Sequence, residues 1–476
     1  MNNTFFHMDF LSTLFILVIG VAVLCIIVVF IHDKLWAKDA VNRNYPVLGH
    51  FRPCAETIGE FYRRYIDFDD REELPFSRAI RHWIYEVSDG QEPIRGFGTR
   101  VNFFKRPFFF KNAVIPLNAD ETTDVPVLTI GPYCKTPYKP PSFFNMSAMS
   151  YGALSAPAVE ALSYGTEMAG CWLNTGEGGL APYHLQGNPD IVFEIGTAKY
   201  GVRDQQGNLC KDKLREIAAK TQIKMFELKL SQGAKPGKGG VLPAKKVTQE
   251  IAEIRNIPVG EDSISPNRHA EVTDIKDLID FISLLRNITG KPVGFKTAIG
   301  DPQWLKDLCD EIKIRGEKEA PDFITIDGAE GGTGASPMTL MDNAALSIHE
   351  ALPLTETILK EYGLKDRIKI IASGKLVTAA DVAWAMANGA DYVVSARGFM
   401  FSIGCIMALK CHTDRCPSGV ATHNPKLQKA LKPHDKKHKV ANYVNQLRNE
   451  VAMISHSCGV KNIRELQKSH IGGQAI

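Results

Sequence analysis

Three cysteines are the clearest chemistry-bearing cluster in this sequence. Cys405, Cys411 and Cys416 fall within 12 residues and are followed directly by Pro417. Thiolates are soft ligands, so three of them in one short loop suit a soft metal. Their spacing matches neither a zinc knuckle nor the C-x2-C-x2-C run of ferredoxins. His412 or His423 could complete a Cys3His zinc site, and three thiolates could instead hold a three-iron cluster. Three unrelated buried thiols is the plain alternative, because free cysteine is often buried. The remaining chemistry-bearing residues sit beside small ones in short polar strings. MSAMSYGALS carries Ser147, Ala148, Met149 and Ser150; NTGEGG carries Asn174, Thr175 and Glu177; ELKLSQGAKPGKGG carries Lys229, Gln232 and Lys235. Further along are Lys296, Asp327, Glu330, the loop GGTGAS, the triplet Ser373-Gly374-Lys375 and the triplet Ser395-Ala396-Arg397.

Each of these strings follows a short apolar run. The runs are NMSAMS (145–150), GCWLNTG (170–176), DIVFEIG (190–196), MFELKLS (225–231), VGFKTA (293–298), FITIDGA (323–329), IKIIASG (368–374) and YVVSA (392–396). Between most of them lie stretches with apolar residues at i, i+3 and i+4, such as APAVEALSYGTEMA and DIKDLIDFISLLRN. Buried runs alternating with amphipathic helices predict parallel strands. Eight such units predict an α/β fold closed as a (β/α)8 TIM barrel. An open doubly wound sheet is disfavoured, because no G-x-G-x-x-G follows the first strand. In a barrel the chemistry lies at the C-terminal strand ends, where the polar strings fall. Gly374 and Lys375 after the seventh strand, and Ala396 and Arg397 after the eighth, fit a phosphate-bearing cofactor, aided by a helix opening near Thr378. GGTGAS is not a Walker loop, since no G-K-[ST] ends it.

The rest of the chain sets limits on the function. It has 476 residues, 44% of them apolar and 23% charged, with a net charge of +3. This is ordinary globular composition, too balanced in charge to indicate a nucleic-acid partner. Phe10 to Ile31 is a run of 22 residues without a charge, long enough as a helix (about 33 Å) to cross a bilayer. No Lys or Arg precedes it and no A-x-A site follows, which favours a retained anchor over a cleaved signal peptide. Lys34, Lys38 and Arg43 follow it, so the positive-inside rule predicts a cytoplasmic catalytic domain. The expected organisation is a tail (1–9), a transmembrane helix (10–31), an extension of short helices and turns (32–140), the barrel with its cysteine loop (141–425) and a helical tail (426–476). Lys426 to Lys439 reads as a solvated connection. Val440, Tyr443, Val444, Leu447, Val451 and Ile454 then recur at the spacing of a docking helix.

From about Ser147 to Pro425 the chain resembles the FMN-binding synthase domain of glutamate synthase. The matching strings are MSAMSYGALS, NTGEGG, ELKLSQGAKPGKGG, DGAEGGTGASP and GCIMALKCHTDRCPSGVATHNP, in matching order and spacing. With its N-terminal span, the chain looks like the stand-alone glutamate-synthase-like proteins of bacteria. The resemblance implies FMN at the strand ends and a 3Fe-4S cluster held by Cys405, Cys411 and Cys416. It implies FMN contacts from Ala148, Met149 and Ser150, with Thr175, Lys229 and Lys296 near the ring. Gly332, Gly374, Lys375, Ala396 and Arg397 would lie toward the flavin edge and phosphate.

The implied reaction is the FMN-dependent reductive amination of 2-oxoglutarate with ammonia to L-glutamate, a step of ammonia assimilation and glutamate biosynthesis. Electrons would pass through the cluster. Glu177 matches the carboxylate that handles ammonia, while Lys235 and Arg255 match substrate-binding cations. Ammonia and electrons are expected from outside the chain, the latter from a ferredoxin-like or membrane-associated reductase. Two strings depart from the family pattern. GKGGVLP, with Lys238 and Val241, stands where the family reads GEGGQLP, and SPNRHAE (265–271) stands where it reads SPPPHHD. Val241 cannot make the hydrogen bond of the Gln it replaces. Another oxo-acid, a membrane-associated FMN/iron–sulfur dehydrogenase of an amino or hydroxy acid, and a non-catalytic flavin-binding protein are the alternatives.

Overall fold

A computed structural model describes residues 2–36, 42, 44–62, 66 and 69–473. The chain divides into two compact units, Met1–Arg81 and His82–Ile476.

The first unit opens with one long helix, α1 (Asn2–Leu35), which begins ahead of the apolar run predicted for it. From Phe10 to Leu35 it is long and apolar enough to cross a membrane, and no residue from Phe10 to Ile31 is buried against protein. A helix suits that environment because it satisfies every backbone group internally. An apolar helix near an N-terminus fits a signal sequence by the same measure. In its last turn, buried Asp33 accepts hydrogen bonds from the Val47 N–H and from His50 Nε2, each at 2.9 Å.

The second unit holds the barrel. Its strands are β1 (Phe144–Met146), β2 (Leu173–Asn174), β3 (Ile191–Ile195), β4 (Ile223–Lys229), β5 (Val293–Thr297), β6 (Phe323–Asp327), β7 (Lys369–Ser373) and β8 (Tyr392–Ser395). These are the eight runs read from the sequence. All are paired in parallel, in the order β1-β8-β7-β6-β5-β4-β3-β2. The ring all but closes between β1 and β2. There the Met146 N–H donates to the Trp172 carbonyl (3.1 Å), and Asn145 Oδ1 accepts from the Trp172 N–H (3.0 Å). A side-chain amide thus stands in for part of the missing ladder.

Helices flank the strands: α2 (Ala156–Met168), α3 (Lys211–Ala219), α4 (Ile275–Thr289), α5 (Gln303–Arg315), α6 (Ile348–Glu361) and α7 (Ala379–Ala387). Local capping sets their starts. Ser155 accepts from the Ala158 N–H at α2, Asp274 from the Asp277 N–H at α4, and Thr378 forms a capping box with Asp381 at α7. The barrel interior is plugged by Trp172, Val192, Met225, Phe323, Ile371 and Tyr392, together with Ile130 and Tyr138 from the preceding segment. Tyr138 Oη donates to Asp190 (2.9 Å), and Tyr392 Oη donates to the Leu128 carbonyl (3.1 Å). The end of the extension therefore packs against the barrel core.

The terminal helix α8 (Pro433–Ser457) starts earlier than its apolar periodicity indicates. Pro433 occupies its first turn, where a missing N–H costs nothing, so the basic stretch forms the opening turns instead of a loose connection. Tyr443 Oη reaches the Val377 carbonyl (2.7 Å), and the Tyr443 ring packs edge-on against Phe144 and Phe399. This docks α8 beside the β7–α7 and β8 loops. Ile471–Gly472 pairs antiparallel with Phe109–Phe110, tying the C-terminal residues to the extension.

Candidate functional site

The two-residue period of strands puts Met225, Glu227 and Lys229 on one face of β4. Met225 belongs to the core, so Glu227 and Lys229 continue that face toward the barrel mouth. Register places Glu194 of β3 opposite Glu227, and Lys229 opposite Lys296 of β5. The result is a line of buried charges across three neighbouring strands. Lys296 Nζ bonds Glu194 and lies 3.9 Å from Glu227. Glu227 also accepts from Asn174 Nδ2 (2.9 Å) and from the Thr325 hydroxyl. Burial pushes the Glu227 carboxyl well above its ordinary range, against the pull of Lys296 and with the push of Glu194. Burial alone would lower Lys296, but Glu194, Glu227 and Asp327 reverse this and hold it firmly protonated. A small cavity lies against this line, bordered by Ser147, Asn174, Glu227 and Thr325 on its polar side.

Above that line Glu177 sits in a short turn, Gly176–Gly178, after β2. Lys229 Nζ donates to Glu177 Oε1 and to Gln232 Oε1, both at 2.7 Å. Burial raises the Glu177 carboxyl, yet Lys229, then Lys235 and Lys296, outweigh it and bring it down to about 2. Lys235 is buried, and desolvation together with repulsion from Lys229 lowers it to about 8 despite the attraction of Glu177. The site thus holds a permanently ionised carboxylate beside an amine that titrates near neutral pH.

Close backbone contacts fix this turn. Gly176 has φ of +63°, and a Cβ there would lie 2.5 Å from the Ser150 N atom. Only glycine lets the β2 turn press against the Ala148–Ser150 loop. A Cβ on Gly240 would lie 2.4 Å from Glu177 Oε1, so the loop GKGGVLP covers Glu177 with bare backbone. Val241 pairs with Ile264 in a two-residue ladder and is 38% exposed. Arg255 is buried under this loop. Its guanidinium donates to Ser263 Oγ (3.1 Å) and to the Tyr151 carbonyl (3.2 Å) and lies over the Tyr200 ring, while Nε has no hydrogen-bond partner. It braces the loop from behind and carries its charge toward Glu177.

Across the mouth, Asp327 ties three loops together. It accepts from the Gly233 N–H (2.8 Å) and from Ser373 Oγ (2.8 Å). Beside it Arg397 donates to the Glu330 carbonyl (2.6 Å) and packs against the Gly332 backbone. Burial lowers Arg397 to about 10, with Asp327 and Glu330 opposing. Burial and then the Arg397 charge lower Lys375, which stands at φ +58° next to Gly374. Two desolvated cations that repel each other at the ends of β7 and β8 are suited to a bound anion. These residues fit the phosphate of the flavin that the resemblance implies. The small-residue loops at Ala148–Ser150 and Thr175–Gly176 leave backbone atoms at the mouth beside a flat ring.

The cysteine loop is different. Burial, followed by the neighbouring Cys416, raises the Cys411 thiol. Cys416 is buried with Sγ 3.4 Å from Ser418 Oγ, and the Cys405 carbonyl accepts from Tyr85 Oη (2.7 Å). Among the described residues no group of three or more His, Cys, Asp or Glu side chains is placed to hold a metal ion. A cluster on this trio therefore draws on the resemblance of the loop, not on this arrangement. His423 Nε2 is engaged with the Gly152 carbonyl (2.8 Å), which leaves Nδ1 as its acceptor nitrogen.

Four further side chains belong to the site or to its supports. Glu194 and Glu227 are charges inside apolar runs at an inward register, a signal that was available. His269 bonds the Lys229 carbonyl (2.9 Å) from a distant loop. Lys246 is buried and donates to the carbonyls of Ala153 (2.9 Å), Cys411 (3.3 Å) and Ala421 (3.3 Å). Nothing in the local sequence marks these last two.

Comparison with known proteins agrees with the family resemblance read from the sequence. The family described as the conserved region in glutamate synthase matches residues 111–461. The glutamate synthase large subunit-like protein YerD of Bacillus subtilis (strain 168) is 40% identical over 498 residues, covering 95% of this chain and 94% of that protein. An archaeal-type glutamate synthase (NADPH) of Thermotoga sp. (strain RQ2) is 33% identical over 323 residues, covering 67% of this chain and 60% of that protein. The match thus spans about three-fifths of that relative's length. Among solved structures, a flavocytochrome b2 mutant with benzoylformate aligns at a TM-score of 0.48 and 12% identity, covering 83% of this chain and 79% of that one.

Proposed function

The chain belongs to the glutamate synthase family, and on that premise we propose that it is an FMN-dependent oxidoreductase that aminates 2-oxoglutarate, or a close oxo-acid, with ammonia to L-glutamate. The observation that carries this reading is the ionised Glu177 clamped by Lys229 at 2.7 Å with Lys235 beside it at the barrel mouth. In this proposal the catalytic domain is residues 141–425.

FMN would be held by Ala148, Met149, Ser150, Thr175, Lys229 and Lys296 around its ring. Gly332, Gly374, Lys375, Ala396 and Arg397 would lie toward its phosphate. When bound it would supply hydride transfer. The chain's own residues do the rest. Glu177 stays ionised at any working pH, so it captures and orients ammonium as a fixed negative charge. Lys235, held near 8, has a neutral fraction that can take the ammonium proton. The freed ammonia attacks the oxo carbon, and water leaves as the imine forms. Protonated Lys235 and Lys229 offer cations to the substrate carboxylates, and Arg255 steadies the loop that closes over them.

A 3Fe-4S cluster on Cys405, Cys411 and Cys416 is the finer part of the proposal. It draws on the resemblance of the cysteine loop alone. Iron and acid-labile sulfide assays on anaerobically purified protein test it.

The reaction is tested anaerobically in detergent. Chemically reduced, FMN-loaded protein is mixed with 2-oxoglutarate and ammonium. Rapid flavin reoxidation with glutamate as product is expected. Exposed Val241 and neighbouring Lys238, in place of an amide and a carboxylate, favour a second reading, a dehydrogenase of an amino or hydroxy acid. Reduction of the oxidised flavin by such an acid, with no reoxidation by 2-oxoglutarate, would select that reading. Bound flavin inert to both would leave a binding protein.

A further inference from the structure

Residues 93–119 of the second unit gather aromatic and cationic residues without a carboxylate. The segment holds Arg95, Arg100, Lys105, Arg106 and Lys111, six phenylalanines and no Asp or Glu. Folding leaves its apolar side chains outside. Phe97 is fully exposed, Phe104 is 97% exposed, Ile94 75% and Val114 98%. A water-facing surface rarely gathers large apolar side chains so closely without a use for them.

The segment is nevertheless built, not loose. Asn102 Oδ1 accepts from the Phe104 N–H (3.0 Å) and caps the turn Phe103–Lys105. The Arg106 guanidinium lies 4.4 Å from the ring centres of both Phe103 and Phe109. Beyond it the Lys111 N–H bonds the His470 carbonyl and the Ala113 N–H bonds the Ser457 carbonyl, each at 2.8 Å. The base of the segment is thus fastened to the C-terminal end of the chain, while residues 96–106 present rings and guanidinium groups together.

We propose that this 94–106 loop is an interfacial docking surface for anionic lipid headgroups. Aromatic rings settle at the headgroup level of a bilayer, and Arg and Lys are drawn to anionic lipid. The charge of the segment is complementary to such a surface and to no neutral one. The inference rests on reading α1 as a membrane anchor. A tethered chain meets the bilayer at high effective concentration, so a weak surface contact suffices.

The experiment uses full-length, FMN-loaded protein with vesicles of phosphatidylcholine alone or of phosphatidylcholine with one-third phosphatidylglycerol. Flotation reports the anchor. The rate of tryptic cleavage after Arg100 reports the loop. The expected result is flotation with both vesicles and cleavage at least fivefold slower on the anionic ones, reversed by high salt. The double variant Phe97→Ser, Phe104→Ser should float as before, keep its melting temperature and lose the protection. Flotation with both vesicles but equal cleavage on both would overturn the proposal and leave the anchor standing. Flotation with the anionic vesicles alone would remove the anchor and still support the loop, and flotation with neither would refute both. Protection that follows protein concentration, not lipid, would overturn it in favour of contact between copies of the chain.

Discussion

Glu177 and Lys235 form an acid–base pair pushed apart by their surroundings. The carboxyl is held near 2 and the amine near 8. Replacing Glu177 by Gln removes the charge that would capture ammonium and keeps the shape. FMN binding, read by flavin absorbance, should persist while glutamate formation falls by about 10²-fold or more; undiminished turnover would remove Glu177 from the mechanism. The depressed carboxyl also has a stability signature. A folded-state pKa below the unfolded value of about 4.3 contributes stability that is present above pH 4.3 and lost as pH falls toward 2, on the order of 3 kcal/mol. Acid titration of unfolding should therefore show a steeper loss between pH 5 and 2 for the wild type than for Glu177→Gln. For Lys235 the activity profile is the readout. Turnover should rise as pH passes through about 8, and Lys235→Arg, charged throughout, should lose that inflection.

At the scale of elements, the site depends on loops that touch backbone to backbone. Gly176→Ala would place a methyl 2.5 Å from the Ser150 N atom at a positive φ. The strain alone costs about 1–3 kcal/mol, and moving the Ala148–Ser150 loop should weaken flavin binding measurably in a titration. Lys246 plays a similar part for the cysteine loop. It bridges the carbonyls of Ala153, Cys411 and Ala421 from a buried position. Lys246→Met would strand these acceptors at a cost of roughly 1–3 kcal/mol for each one left buried. Faster labelling of Cys411 and Cys416 by a thiol reagent, at unchanged barrel secondary structure, is the expected outcome.

At the scale of the whole molecule, a family barrel is combined with one apolar helix. Intact-mass measurement of protein isolated from membranes distinguishes the two readings of that helix. Retention of Phe10–Leu35 is expected for an anchor, and a chain beginning after it would identify a signal sequence. The barrel should come with it into detergent as one piece.

The eight strands were legible in the sequence because a strand buried on both faces must be apolar along its whole length, and helices interrupt those runs at regular intervals. The polar strings at the mouth were legible for the complementary reason: charge and glycine end an apolar run where the chain turns. Which of those residues meet was not legible. Glu177 finds Lys229 at a separation of 52 positions, and His269 finds the Lys229 carbonyl at a separation of 40. Lys246 bonds the carbonyl of Cys411, 165 positions away. Local sequence fixes a residue's direction through the strand or helix period. Its partners depend on register between strands and on how loops from different strands close over one another. Those are properties of the closed barrel, so the ion pairs, the two shifted titrations at the mouth and the brace beneath the cysteine loop were decided by tertiary structure alone.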